Sequence, residues 1–245
     1  VLTERKPQRL EQVDGRVVLH TDRGETVSGA RLLAAAGRRM DFGSLSLDRA
    51  GVRFSEKGIT VNRYLRTSRP HIYACGDCNG YRQFSHAAMH QGMIGLLNGM
   101  LPWPLKQDFR RFVVPWTTFT DPQISQVGPR ETELLARGVK FEALEVRYED
   151  YGAAIAEKVD VGFVRVLAGA SGKIYAATIV GEGSGEMINE WALAIQKKIR
   201  LHDVMLLQHS FPTMGFLSKR VAEVWMMKRM QAKSLQRACR FLFRL

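Results

Sequence analysis

Two apolar runs, at residues 163–167 and 173–180, alternate with the period of a strand and are joined through Ala170-Ser171-Gly172. Directly after them, residues 184–199 place Met187, Ile188, Trp191, Ala194 and Ile195 at helical spacing. A hairpin feeding such a helix buries both apolar faces when sheet and helix form two layers, which commits this part of the chain to an α+β arrangement.

The flanking segments extend that layer pair. Strands are predicted at 113–119, 123–127 and 141–146. A helix follows Pro129, with Glu131 and Glu133 in its first turn and Gly138 as its stop. A last helix starts after Pro212 and reaches at least Met230. Pro102, Pro104 and Pro115 mark a change of regime, so this α+β domain begins near Phe112. Upstream, residues 8–36 read as a small β-meander. Strands at 8–13 and 16–21 flank Asp14-Gly15, which suits a type I′ turn, and Asp22-Arg23-Gly24-Glu25 makes the next one. The run 31–36 reads as a buried strand ending at Gly37. Residues 38–70 are turn-rich with a strand candidate at 59–61; a brief strand is predicted at 72–74 and a helix from near Ser85 to about Met100.

Composition narrows the function classes. Hydrophobic residues make up 45% of the 245-residue chain, enough for a sizeable core, and no run approaches the roughly 18 apolar residues of a membrane helix. Lys and Arg number 36 against 24 Asp and Glu, a net charge of +12. Eight of those basic residues fall in 219–245, where Glu223 is the one acid. The excess is thus largely a property of the tail, which argues against a nucleic-acid groove through the fold. Three cysteines fit a reducing, cytoplasmic compartment rather than a disulfide scaffold. The start, Val1-Leu2-Thr3-Glu4, lacks an initiator Met and reads as the middle of a longer chain.

Cys75-Gly76-Asp77-Cys78 has the spacing of a dithiol centre or half a zinc site. A redox pair belongs at a helix N-terminus, where amide dipoles lower the thiolate pKa, yet Cys75 ends a predicted strand and Cys78 lies in a loop. Zinc needs two further ligands, and Cys239 is remote. His86 and His90 share a helical face without the Glu of His-Glu-x-x-His or a third ligand, so no metal site is assigned. Residues 181–186 look like a phosphate-cradling loop, but the Lys of a P-loop is missing and Glu186 stands where a dinucleotide fingerprint needs Gly.

Several segments together resemble the pyridine nucleotide-disulfide oxidoreductases, the flavoproteins that include dihydrolipoamide dehydrogenase, glutathione reductase and mercuric reductase. Leu32-Leu33-Ala34-Ala35-Ala36-Gly37-Arg38-Arg39 is similar to a strand and turn of that family. Leu65-Arg66-Thr67-Ser68-Arg69-Pro70-His71-Ile72-Tyr73-Ala74-Cys75-Gly76-Asp77 is the stronger match, followed by Phe84-Ser85-His86-Ala87-Ala88. Thr120-Asp121-Pro122-Gln123-Ile124, Gly162-Phe163-Val164-Arg165-Val166 and His209-Ser210-Phe211-Pro212-Thr213 resemble its dimerisation domain.

The resemblance implies a fold of α/β to α+β type: the end of an NAD(P)-binding domain at 1–36, the C-terminal piece of an FAD-binding domain at 37–111, a dimerisation domain at 112–231 and a basic tail at 232–245. It implies FAD as cofactor, with Asp77 accepting from a ribityl hydroxyl, Gly76 allowing close approach, and the amides of Ser85, His86 and Ala87 facing the flavin pyrimidine edge. NAD(P)H would act through an upstream portion that carries both Gly-x-Gly-x-x-Gly fingerprints and the Cys-x4-Cys disulfide. It also implies a homodimer through 112–231. Phe211 and Phe216 stand where the family has its catalytic His and Glu, so no catalytic residue is intact and His209 is a weak candidate. A phenyl ring cannot shuttle a proton, which argues against thiol chemistry; the lone Cys239 argues in the same way against mercury reduction. Three readings follow: the C-terminal portion of an FAD-dependent NAD(P)H oxidoreductase with an unidentified acceptor, a flavin-free dimerisation module, or a thiol-redox module through Cys75 and Cys78. For the segment 226–245, contact with an anionic membrane surface competes with a helical extension packed along the dimer.

Overall fold

The computed structural model describes residues 1–232, 236–237 and 240–242, in two compact units, Val1–Leu45 and Ser46–Leu245. In the first, β1 (Pro7–Val13), β2 (Arg16–Thr21) and β3 (Thr26–Gly29) form an antiparallel meander in the order β1-β2-β3. Val13 pairs with Arg16 across Asp14 and Gly15, both at positive φ (49° and 76°), the geometry of a type I′ turn. His20 of β2 bonds Glu11 of β1 at 2.7 Å across the ladder.

The run 31–36 is not a strand. It pairs with no strand of the meander and its side chains are exposed, Leu33 at 91%. Apolar sequence alone does not make a strand, because the ladder needs a neighbour to take its backbone groups.

In the second unit, β4 (Phe54–Ser55) and β5 (Gly58–Ile59) make a short hairpin, and α1 spans Ser85–Met100 as its sequence predicts. The predicted strand at 72–74 reduces to a single bridge, Arg66 with Tyr73, beside the bond from Ala74 N–H to Leu65 O at 3.1 Å. The following elements are β6 (Trp116–Thr118), β7 (Ile124–Val127), α2 (Glu131–Ala136), β8 (Glu142–Arg147), α3 (Gly152–Ala156), β9 (Phe163–Ala168), β10 (Ile174–Val180), α4 (Ser184–Lys197), α5 (Leu201–Leu206) and α6 (Phe216–Met230).

The five strands from β6 to β10 form an antiparallel sheet in the order β6-β7-β10-β9-β8. Alternation along β9 sends Val164, Val166 and Ala168 into the main core and Leu167 into a second cluster with Leu134 of α2. The main core is closed by Met187, Ile188 and Trp191 of α4, Leu201 of α5, and Leu217, Val221 and Trp225 of α6. Helices therefore lie on both faces of the sheet, with the larger layer on one. A buried chain of hydroxyls, Thr117 to Ser125 at 2.8 Å and Ser125 to Ser184 at 3.0 Å, ties β6 and β7 to the start of α4.

Candidate functional site

The Gly-Asp turn between residues 72–75 and α1 is built from the helix outward. On α1 the buried positions are Ala87, Gln91, Ile94, Gly95 and Asn98, a stripe at helical spacing interrupted by two amides. Ile94 packs with Leu65 and Phe109. The Gln91 Oε1 accepts from the Gly76 amide at 2.9 Å and from Asn79 Nδ2 at 2.6 Å, and Asn79 Nδ2 also donates to Ala74 O at 3.0 Å. One helical amide thus fixes both ends of the 3-10 turn Asp77–Asn79. Farther along, Asn98 Nδ2 donates to Gln107 O at 2.8 Å and its Oδ1 accepts from Gln107 N–H at 2.6 Å, which holds the segment after α1.

Close backbone approach sets the remaining geometry. Gly76 has φ 85° and ψ −152°, and a Cβ there would sit 2.9 Å from the Ala88 Cβ. Gly58 of β5, at φ 127°, leaves room for the turn from below: its Cβ would lie 2.8 Å from Cys78 O. Asp77 opens the turn, half-buried, at the end of this clamp.

The start of α1 lacks a side-chain cap at Phe84, and its first intrahelical bond runs from Ala88 N–H to Phe84 O at 2.9 Å. The amides of Ser85, His86 and Ala87 thus precede the helical ladder and present partial positive charge. Ser85 and His86 are exposed, whereas Ala87 is buried. The His86 Nε2 is engaged by Pro115 O at 2.7 Å, and the His90 ring packs edge-on against Phe112 at 4.5 Å. Among the described residues no group of three His, Cys, Asp or Glu side chains is placed to hold a metal ion.

Both thiols of the Cys-x-x-Cys are free and occupied structurally. The Cys75 sulfur fills the space over Gly95, whose Cβ would come within 2.6 Å of it, and Cys78 Sγ donates to Cys75 O at 3.3 Å. Burial, and after it the neighbouring Cys78, pushes the Cys75 thiol above its ordinary range; burial does the same for Cys78. A raised pKa keeps the thiol protonated at neutral pH, the opposite of what a redox nucleophile needs. Iodoacetamide is therefore expected to alkylate Cys75 and Cys78 at least about tenfold more slowly than free cysteine at pH 7.5. The rate should climb only as pH rises past the ordinary thiol pKa. Peptide mass mapping reads both sites, and labelling as fast as free cysteine would contradict the burial. Cys239 lies outside the described residues.

Around Pro212 the structure brings together the three positions singled out in the sequence. Phe211 and Phe216 meet edge to face at 5.3 Å, and Phe216 stacks on Tyr151 at 6.0 Å. Phe211 is 72% exposed. His209 Nε2 lies 2.9 Å from Glu190 Oε1, with the imidazole nearly buried. Sequence reasoning missed Glu190, which sits on α4, nineteen residues before its partner; it missed Gln91, Asn79 and Asn98 as well. The signal for Gln91 and Asn98 was present: a polar side chain on the apolar stripe of a helix must find a buried partner.

Comparison with known proteins gives the family of the chain. Residues 1–92 match the family model described as pyridine nucleotide-disulphide oxidoreductase, and residues 114–220 match the dimerisation domain model of the same family. A dihydrolipoyl dehydrogenase of Buchnera aphidicola is 34% identical over 188 residues, 75% of this chain and 39% of the relative. A mercuric reductase of Streptomyces lividans is 30% identical over 218 residues, 86% of this chain and 46% of the relative. The chain thus spans less than half the length of these relatives. Among solved structures, LpdA from Mycobacterium tuberculosis superimposes with a TM-score of 0.79 at 24% identity, over 93% of this chain and 49% of that one. The HOCl-induced flavoprotein disulfide reductase RclA from Escherichia coli gives 0.80 at 20% identity, over 91% and 50%. With both family models matched in order along its length, the chain belongs to the pyridine nucleotide-disulphide oxidoreductases.

Proposed function

We propose that these residues form the flavin-facing and dimerising portion of an FAD-dependent NAD(P)H oxidoreductase. The supporting observation is the clamped Gly76-Asp77 turn, which Gln91 holds against the uncapped start of α1. The residues present fit part of FAD: a glycine whose backbone can be approached closely, an adjacent carboxylate, and free first-turn amides. Bound there, FAD would supply hydride transfer between a nicotinamide and an acceptor. Asp77 orients the ribityl chain by accepting a hydroxyl hydrogen bond. The amides of Ser85, His86 and Ala87 oppose negative charge at the pyrimidine edge. On the same reading, residues 1–36 close the NAD(P)-binding domain, 37–111 complete the FAD-binding domain, and 112–231 form the contact of a homodimer.

The chemistry at residues 209–216 differs from thiol reduction. Phe211 and Phe216 supply a hydrophobic edge where a proton carrier would stand, so acceptor reduction proceeds without proton transfer from those two positions. His209, fixed by Glu190, is the nearest imidazole in that segment and remains the candidate there.

Equilibrium dialysis of the purified chain against FAD tests the flavin role. Retained flavin that Asp77→Ala weakens by at least about tenfold, the value of one charge-assisted hydrogen bond, supports it. No retention by the unmodified chain leaves the flavin-free dimerisation module as its role in isolation. Light scattering reads that second property directly: the expected mass is twice 27.7 kDa.

A further inference from the structure

A cavity of about 530 Å³ opens between the loop leading into α1 and the β6–β7 edge of the sheet. Its size falls in the range of about 300–1,000 Å³ typical of small-molecule sites. Four guanidinium groups line it: Arg82, Arg110, Arg130 and Arg137. Glu133 is the one carboxylate among the lining residues. Its oxygens are already engaged, by Arg130 at 3.0 Å and Arg137 at 4.0 Å, and the hydrogen bond from Arg130 holds its carboxyl below the usual range.

Arg82 and Arg110 have no carboxylate partner within ion-pair distance among the described residues. Arg82 lies 5.7 Å from the centre of the Tyr81 ring. Arg110 lies at the same distance from the Phe109 ring and donates to Val61 O at 3.3 Å. Three positive charges are thus left uncompensated around one cavity, a source of repulsion that a bound anion would relieve. The walls supply a second chemistry. Phe112, Trp116 and Tyr175 are half-buried there, so the cavity combines aromatic surface with forked donors. Guanidinium forks match phosphate oxygens two at a time, and aromatic faces stack on planar heterocycles.

We infer that this cavity binds a nucleoside phosphate, with the base against Trp116 and Phe112 and the phosphates between Arg82 and Arg110. The site is separate from the flavin-facing turn, since neither Asp77 nor Ser85, His86 or Ala87 lines it. An inorganic anion would use only the arginines, and an uncharged heterocycle only the rings. The combination selects a ligand that carries both.

Isothermal titration of the 245-residue chain with ADP, adenosine and inorganic pyrophosphate tests this. ADP is expected to bind once per chain, with adenosine and pyrophosphate each at least about tenfold weaker. The double variant Arg82→Ala, Arg110→Ala should weaken ADP by about tenfold to a hundredfold, the range for charge-assisted hydrogen bonds. Both side chains are exposed, so the variant should melt with the parent, and a circular-dichroism melt checks this. Trp116→Ala should weaken ADP and leave pyrophosphate unchanged. Asp77→Asn should retain ADP affinity. The inference is overturned by absence of ADP binding, by pyrophosphate binding as tightly as ADP, by an unaffected arginine double variant, or by loss of ADP in Asp77→Asn.

Discussion

Trp191→Ala is expected to destabilise the Ser46–Leu245 unit by about 3–5 kcal/mol, the range for truncating a large buried aromatic. Trp191 has no solvent exposure and lies in the main core between α4 and the sheet. Its indole N–H has no hydrogen-bond partner among the described residues, so its contribution is packing and the change orphans no polar partner there. The loss is the transfer free energy of the ring plus the cavity left among Ile188, Val164 and neighbouring side chains, since close-packed interiors relax only in part. Urea unfolding followed by circular dichroism reads the shift. A change below about 1 kcal/mol would show that this core collapses around the gap, contrary to the packing described. Trp191→Phe, which keeps an aromatic ring in place, should cost distinctly less.

Gln91→Leu has a smaller expected effect on stability and a larger one on the site. The substitution keeps a similar volume on the buried stripe of α1 but removes the acceptor that holds the Gly76 amide and the Asn79 side chain. Asn79 keeps its bond to Ala74 O, whereas the Gly76 N–H is left buried without that partner. The cost of such an orphan is about 1–3 kcal/mol. Because the same bond anchors the Asp77–Asn79 turn, amide hydrogen exchange should rise at residues 76–80 more than at Trp191 or Ile179 in the sheet core. Unchanged exchange at the turn would show that Gly58 and Ala88 hold it without Gln91. Gln91→Glu serves as the complementary variant: it preserves an acceptor but buries a carboxyl, so it should retain turn protection at low pH and lose it as the group ionises.

Periodicity carried much of the fold. The start of α1 at Ser85 and its end at Met100 were legible because an apolar stripe begins after Phe84 and a Pro-rich segment follows. The β9–β10 hairpin and α4 were legible for the same reason, since alternation and helical spacing each persist over several residues. Two segments misled. The apolar run at 31–36 has the composition of a buried strand, but strand formation depends on a partner that composition does not reveal. The stretch at 72–74 keeps one bridge, because its backbone groups are shared with residues 65–67 rather than with a long ladder. The short helix α5 escaped notice: six residues are too few to show a period.

For the site, the motif at 72–80 pointed to Gly76 and Asp77 without reference to their surroundings. Positive φ at Gly76 and the near contact with Ala88 give that glycine its physical reason. The chemistry of the two cysteines could not be decided by spacing. Cys-x-x-Cys is compatible with a thiolate at a helix start or with two half-buried, packed thiols, and the sulfur of Cys75 over Gly95 favours the second.

Residue order alone determined the longer, periodic elements and the layered α+β character of the second half, because these depend on spacing along one segment. Tertiary structure alone decided which side chains answer one another across segments. Gln91 with Gly76, His209 with Glu190, and the arginines gathered from residues 82, 110, 130 and 137 are separated by 7 to 55 positions in the chain. Hydrogen bonds and charge act over ångströms rather than over sequence distance, so these partnerships exist only once the sheet and its helices have closed.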